Sequence, residues 1–152
     1  MGCEATSGDP IVTRPAEPAD AEELEALFEE LGHPATTAQL ATRLTRVQSD
    51  PTYQAWIALS AEHVPVGFAA GHLVHPIEDD RPAAQLIALV SSTQARGTGV
   101  GTALCRTFED WALTHGAQRA VVNSGNLRQS AHEFYQRDGW THTGIRFAKP
   151  LP

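Results

Sequence analysis

The apolar residues of the chain recur at two spacings, one typical of amphipathic helices and the other of strands. From about residue 21 to 30 they stand at positions i, i+3, i+4 and i+7, which places them on one face of a helix. These residues are Leu24, Leu27, Phe28 and Leu31. Gly32 predicts the end of this helix. A second helix is predicted to run from a cap at Thr36 or Thr37 to about Gln48.

Strands are predicted where β-forming residues cluster between turn residues. They cover residues 11–14, 53–60, 66–75, 85–90 and 118–124, with a closing strand pair or bent strand at 140–149. Two more helices are predicted, one from a glycine loop to about residue 115 and one over 127–138. The order is β-α-α-β-β-β-α-β-α-β. Hairpins before the fourth strand and strand–helix–strand connections after it predict an α/β fold. Its sheet is mixed, antiparallel first and parallel at the end, with helices on both faces.

The connection between the fourth strand and the third helix carries glycines at every second position. Backbone N–H groups in the first turn of a helix have no partner within the helix, and the helix dipole adds positive charge there. Glycines let this backbone approach a phosphate closely. A phosphate-bearing ligand is therefore expected on one run of residues. The run is Arg96, Gly97, Thr98, Gly99, Val100, Gly101 and Thr102.

Two common phosphate-binding patterns do not match this run. A Walker loop ends in Gly-Lys-Ser/Thr, whereas Gly101 is followed by Thr102 and Ala103. A dinucleotide-binding turn requires Gly-x-Gly-x-x-Gly and an acidic residue at the end of the next strand. This chain has Gly-x-Gly-x-Gly instead, and Glu109 and Asp110 fall inside the predicted helix. Both classes of nucleotide site are therefore excluded.

The run from Arg96 to Gly101 resembles motif A of the GNAT superfamily of acetyl-CoA-dependent N-acetyltransferases, whose signature is Gln/Arg-x-x-Gly-x-Gly/Ala. It begins six residues after Val90, the offset at which the family places this loop after its central strand. A second register, Gln94 to Gly99, also satisfies the signature, and the first is preferred because of that offset. The predicted element order is that of the GNAT fold. The resemblance implies one acetyltransferase domain over residues 11–152, after a flexible tail of residues 1–10.

A second motif near the end of the chain resembles the family's Asn-x-x-Ala-x-x-Phe-Tyr-x-x-x-Gly-Phe. Ala131, Phe134, Tyr135 and Gly139 match in register, and Trp140 takes the final aromatic place. The resemblance implies that the tyrosine lies beside the thioester sulfur and protonates the departing CoA thiolate. A phenol suits this step because its ordinary pKa, near 10, keeps it protonated at neutral pH. A purely structural role, as part of an apolar helical stripe, is compatible with the same pattern.

The resemblance also implies further contacts to acetyl-CoA. A bulge in the family's central strand exposes a backbone N–H to the acetyl oxyanion, and we assign that N–H to Val90, with Leu89 pairing with the pantetheine arm. The family's asparagine falls on Arg128 here, which puts its contact to CoA in doubt. Asn126, at the predicted start of the helix, is the candidate substitute.

The base that deprotonates the amine is not fixed by any motif. An alkylammonium group with a pKa near 10 is not a nucleophile until it loses a proton. The candidates are His72 and His75, on or at the end of the third strand, Glu78 in the acidic loop that follows, and water. The position of Cys105 inside a helix argues against a covalent cysteine intermediate.

Composition limits the partners and the location. The net charge of −7 excludes a broad nucleic-acid footprint, and two cysteines form neither a disulfide framework nor a metal site. Because the sequence has no long apolar run and no signal peptide, no membrane partner is expected and a cytoplasmic location is predicted. The start, Met1-Gly2-Cys3, formally fits a myristoylation pattern, but a disordered tail is the preferred interpretation.

The combined interpretation is an acetyl-CoA-dependent N-acetyltransferase. It moves an acetyl group to the primary amine of a small molecule by direct attack in a ternary complex. Some motif residues of this chain resemble those of a subset of bacterial family members that are loosely similar to aminoglycoside N-acetyltransferases. The alternatives are a protein or peptide N-acetyltransferase and a non-catalytic acyl-CoA-binding module. Homodimers are common among proteins with this resemblance, so a homodimer is an open possibility.

Overall fold

A computed structural model describes residues 10–123, 129–144 and 146–152 of the chain. The predicted tail lies outside these ranges, apart from its last residue. The strands are β1 (Val12–Pro15), β2 (Tyr53–Leu59), β3 (Pro65–Val74), β4 (Ala83–Ser91) and β5 (Ala120–Val122). The helices are α1 (Ala21–Leu31), α2 (Thr37–Gln48), α3 (Val100–Thr114) and α4 (Gln129–Arg137), with 3₁₀ turns at Pro18–Asp20 and Thr93–Ala95.

The sheet has the order β1-β2-β3-β4-β5. The pairs from β1 to β4 are antiparallel. The approach to β5 runs in the same direction as β4, since Gln118 donates to the Pro82 carbonyl at 3.1 Å and Ala84 donates to the Arg119 carbonyl at 2.9 Å. The predicted mixed sheet is therefore confirmed.

The strands alternate between two apolar faces, each covered by helices. Ala55, Ile57 and Leu59 of β2 join a core with the leucines of α1 and α2. Trp56 points to the other face and packs against Phe108 of α3, with ring centroids 6.4 Å apart. Strand side chains that alternate in this way require cover on both sides, as predicted. Among the described residues, no helix has both the length and the apolar character needed to span a membrane.

The two helices before β2 begin and end as their sequences indicate. Gly32 has φ +93° and ends α1 in the left-handed conformation. Thr36, the first of the two candidate caps, accepts the Gln39 N–H, and the Gln39 side chain accepts the Thr36 N–H in return. This reciprocal capping box satisfies two backbone donors at the start of α2.

The predicted closing strand over 140–149 is wrong for the described part of that segment. Residues 140–144 and 146–152 contain no strand. Phe147 is 90% exposed and Leu151 is 84% exposed, so the apolar residues here do not pack as one face of a strand. The chain divides into two compact units, one ending at Val121 and one beginning at Val122. A single domain over 11–152 stays a prediction.

Candidate functional site

The connection from β4 to α3 is anchored at its start by side chains. The Ser92 hydroxyl accepts the Ala95 N–H at 3.2 Å and closes the short 3₁₀ turn. Both the N–H and the hydroxyl of Thr93 donate to one carboxylate oxygen of Glu30, at 2.7 and 2.8 Å. Glu30 lies in the last turn of α1, so this carboxylate ties the loop to the first helix. No sequence pattern indicated this long-range contact.

The glycines of this connection shape an open helix start. Gly97 and Gly99 have φ of +83° and +92°, in the left-handed region that favours glycine. Gly99 is the N-terminal cap of α3 and has no side chain to fill that role. The first helical N–H to find an acceptor is that of Ala103, which donates to the Gly99 carbonyl at 2.9 Å. The N–H groups of residues 100–102 therefore have no acceptor within the helix.

The residues of the predicted phosphate loop divide into two groups. Arg96, Thr98 and Thr102 are exposed and can present side chains to a ligand. Val100 is the first residue of α3, and its side chain is only 1% exposed because it packs on the sheet. Val100 therefore offers its backbone N–H alone. Gly101 likewise belongs to the first helical turn rather than to a loop.

β4 contains the bulge that the resemblance implied. Ala88 pairs with Ala70 of β3, whereas Leu86 pairs with Gly71, so Ile87 is one extra residue on β4. The Ile87 side chain is 44% exposed. A bulge of this kind bends the strand and interrupts its ladder. The interruption lies three residues before Val90.

The register of β4 against β3 bears on which residue of β4 offers a free N–H. Ser92 donates to the Val66 carbonyl at 2.8 Å, and hydrogen-bonded pairs alternate along an antiparallel ladder. The next hydrogen-bonded pair is therefore Phe68 with Val90, which matches the observed register. By this alternation the Val90 N–H faces β3, and the Leu89 N–H faces the opposite side of β4.

Tyr135 lies in α4, within the second compact unit. Its ring packs edge-on against Phe134 and Trp140, with centroids 5.4 and 5.7 Å apart. The Trp140 N–H donates to the Tyr135 carbonyl at 2.9 Å across Gly139, whose φ of +95° ends the helix. The glycine and aromatic of the motif thus have a local structural role around Tyr135. Asn126 and Arg128 lie outside the described residues.

The candidate bases occupy different surroundings. His72 is half-buried in β3 and stacks on Tyr53, with ring centroids 4.0 Å apart and planes 10° apart. Hydrogen bonds from the N–H and hydroxyl of Thr52 lower the pKa of the nearby Asp50 carboxyl, with a smaller contribution from His72. His75 and Glu78 are exposed beyond the end of β3.

Metal ligands and thiols are the remaining groups that could carry chemistry in the described ranges. No group of three or more His, Cys, Asp or Glu side chains there is arranged to hold a metal ion. Cys105 is completely buried inside α3, where an acyl group has no access to its sulfur.

Comparison with known proteins identifies the family of this arrangement. Residues 19–140 match the sequence profile described as the acetyltransferase (GNAT) family. N-acetyltransferase 8F1 of Rattus norvegicus is 36% identical over 92 residues, which are 60% of this chain and 41% of the relative. The aminoalkylphosphonate N-acetyltransferase of Salmonella typhimurium is 28% identical over 102 residues, which are 67% of this chain and 66% of that protein. The chain thus matches about two fifths of the length of the rat relative.

The solved structures give the same result for the fold. The aminoglycoside N-acetyltransferase AAC(6')-Iy, in complex with CoA, superimposes with a TM-score of 0.83 at 18% identity, covering 95% of this chain and 96% of that one. This likeness shows a common fold. Together with the profile match, it confirms the resemblance found at the glycine loop.

Proposed function

Because the chain belongs to the GNAT acetyltransferase family, we propose that it transfers an acetyl group from acetyl-CoA to the primary amine of a small molecule. The observation that carries this proposal is the uncapped glycine start of α3, placed directly after a bulged strand. A helix start of this kind binds an anion, and the bulged strand offers backbone groups to an extended chain such as pantetheine.

The start of α3 fits the diphosphate of CoA. A Cβ atom built on Gly97 or Gly99 would have no protein atom within 4 Å, so the backbone there is open on the side where a ligand approaches. The N–H groups of residues 100–102 supply the donors, and the exposed Arg96 supplies a positive charge. The Glu30 contact to Thr93 holds the start of the loop in place without occupying those donors.

The side of β4 that faces away from β3 fits the acyl end of the same molecule. The Leu89 N–H, directed away from β3, is proposed to donate to the acetyl oxyanion, the role first expected for Val90. A donor held by a sheet is already oriented and stabilises the developing oxyanion without rearrangement. Pantetheine, which carries amide groups, pairs with the same backbone edge.

The proposed reaction is a direct transfer. A base or water removes one proton from the ammonium group, and the amine nitrogen then attacks the thioester carbonyl carbon. The tetrahedral intermediate loses the second proton of its nitrogen to a base or water and collapses by breaking the carbon–sulfur bond. The thiolate receives a proton from Tyr135, and the phenol regains one from solvent. No acyl-enzyme is needed, in agreement with the buried position of Cys105.

One of the relatives supports a small acceptor. The name of the Salmonella relative describes a small aminoalkyl acceptor, and its match extends over two thirds of this chain. We therefore favour a small amine over a protein amine as the acceptor.

The proposal is tested by CoA thiol release from acetyl-CoA in the presence of small primary amines. Tyr135→Phe is expected to lower kcat about 100-fold and to leave the Kd of acetyl-CoA unchanged. Tyr53→Phe is the matched control, because it removes the other phenol of the chain and keeps the ring that stacks on His72. Acetyl-CoA binding without thiol release on any amine would instead identify a non-catalytic acyl-CoA-binding module.

A further inference from the structure

A cavity of about 150 Å³ lies between helices α1 and α2 and the sheet. Phe28 and Leu44 line it on the helix side, and Ala70 and Ala88 line it on the sheet side. All four side chains are apolar, and the two alanines leave the space that larger residues would fill. The cavity is partly open to solvent, so a ligand can enter it from the surface.

The size and lining of the cavity indicate what it holds. A buried apolar cavity of about 150 Å³ binds benzene in an engineered protein. A polar group placed here would lose its hydrogen bonds to water and find no replacement. The occupant is therefore an aryl or branched alkyl group rather than a sugar or an ammonium.

The position of the cavity connects it with the proposed chemistry. Its sheet wall includes Ile87, the extra residue of the bulge, and the Ala70–Ala88 pair beside it. The Ile87 side chain is 44% exposed, so the cavity borders the surface at this point. When the apolar group of a molecule occupies the cavity, the atoms attached to that group lie beside the bulge of β4. The bulge residue Ile87 is two residues before Leu89, the proposed oxyanion donor.

Charge at the wall argues against a polycationic occupant. Among the described residues that line the cavity, Arg43 is the one that carries a charge, and it is exposed. Within the described ranges it forms no ion pair. The repulsion from Arg43 increases with each ammonium group that a molecule at this wall carries.

We infer that this cavity is the side-group site for the acceptor, which is a primary amine bearing an aryl or branched alkyl group and not a polycation. Calling the bound amine an acceptor rests on the proposed acetyl transfer, but binding of its apolar group does not depend on catalysis. Phenethylamine is the probe, ethylamine is its counterpart without the ring, and spermidine is the polycation.

Binding is measured first, by calorimetric titration of phenethylamine into the CoA-loaded protein. Ala88→Leu fills the cavity and is expected to raise the Kd of phenethylamine about tenfold or more, with Ala70→Val as a second, smaller filling change. Ala26→Leu makes the same substitution as Ala88→Leu on the exposed face of α1 and is expected to leave the Kd unchanged. A Kd that neither filling variant alters, in protein that still binds CoA, would overturn the inference.

Turnover separates this inference from the proposed function. We expect kcat/KM to be at least tenfold higher for phenethylamine than for ethylamine or spermidine, and Ala88→Leu to remove that preference. Preferred turnover of spermidine would overturn the cavity assignment and leave the transferase standing. Phenethylamine binding that Ala88→Leu weakens, with no thiol release on any amine, would support the cavity and refute the transferase.

Discussion

Gly99 has two properties that a residue with a side chain cannot supply together. It holds φ at +92°, and it exposes the first turn of α3 without a capping side chain over it. The first property alone occurs elsewhere, since Gly32 has φ +93° at the end of α1. A comparison of substitutions at Gly99 and at Gly32 therefore separates the cost of backbone strain from the effect on ligand binding.

Gly99→Glu is expected to abolish acetyl-CoA binding, because it places a carboxylate against the N–H groups proposed to receive the diphosphate. The strain of a left-handed non-glycine residue, about 1–2 kcal/mol, is common to the control Gly32→Glu. That control should keep wild-type affinity in a calorimetric titration with acetyl-CoA. Equal affinity in Gly99→Glu and Gly32→Glu would remove the phosphate site from the start of α3.

Asp20 is a buried carboxylate whose contribution to stability depends on pH. It is 7% exposed, and it accepts two hydrogen bonds from Arg14, at 2.8 and 2.9 Å, and one from the Glu17 N–H at 2.7 Å. The hydrogen bond from Arg14 is the main cause that lowers the pKa of Asp20. A carboxyl with a lowered folded-state pKa stabilises the fold above its unfolded pKa. That stabilisation is lost as pH falls through the folded value.

Asp20→Asn should therefore lower the free energy of unfolding at pH 7 by about 2 kcal/mol, because Arg14 loses its charged acceptor. The difference from wild type should shrink as pH falls below about 4, the ordinary aspartate pKa. Urea unfolding at pH 7 and pH 3 measures both, with the exposed Asp80→Asn as control. Equal urea midpoints for Asp20→Asn and wild type at pH 7 would refute this role.

At the scale of elements, the placement of α3 depends on two glycines of β3. A Cβ atom on Gly67 would lie 2.5 Å from Val100 Cγ1 and 2.9 Å from Leu104 Cδ1, in the first turns of the helix. One on Gly71 would lie 2.9 Å from the Phe108 and Trp111 rings. The helix therefore approaches the sheet more closely than any larger residue allows, and its start is held at the end of β4.

Gly67→Ala should push the first turn of α3 away from the sheet and lower the free energy of unfolding by about 1–3 kcal/mol. Because the same turn carries the proposed phosphate donors, the Kd of acetyl-CoA should rise as well. Gly144→Ala is the control, since a Cβ there meets no atom within 4 Å. Thermal unfolding and titration of both variants measure the two effects, and unchanged acetyl-CoA affinity in Gly67→Ala would disconnect the packing from the site.

Elements with a local signal were predictable, and those that depend on distant partners were not. Nearby residues determine the end of α1 at Gly32, the cap of α2 at Thr36 and the glycine start of α3. The structure shows each of them. The bulge at Ile87 depends on how β4 registers with β3. A one-residue shift in that register determines which N–H faces away from β3, so the sequence alone could not decide between Val90 and Leu89.

At the scale of the whole molecule, the order of elements was sufficient to predict the mixed sheet with helices on both faces. The prediction of a closing strand was wrong. Residues 140–149 include β-forming residues, but a strand forms only where a neighbouring strand is available to pair with it. The cavity beside the bulge was also unpredictable, because it arises where residues from five separate elements meet. The family could be identified from two sequence motifs, whereas the identity of the acceptor depends on the cavity that those elements form together.

The central claim is that an acetyl group passes directly from CoA to an amine. The decisive measurement is the fate of a carbon-13-labelled acetyl group after incubation of labelled acetyl-CoA, the protein and phenethylamine, followed by mass spectrometry. The account predicts that the label appears in an amide of phenethylamine, in proportion to the CoA released, and that none is retained on the protein. Label recovered as acetate, or bound covalently to the chain, would contradict direct transfer.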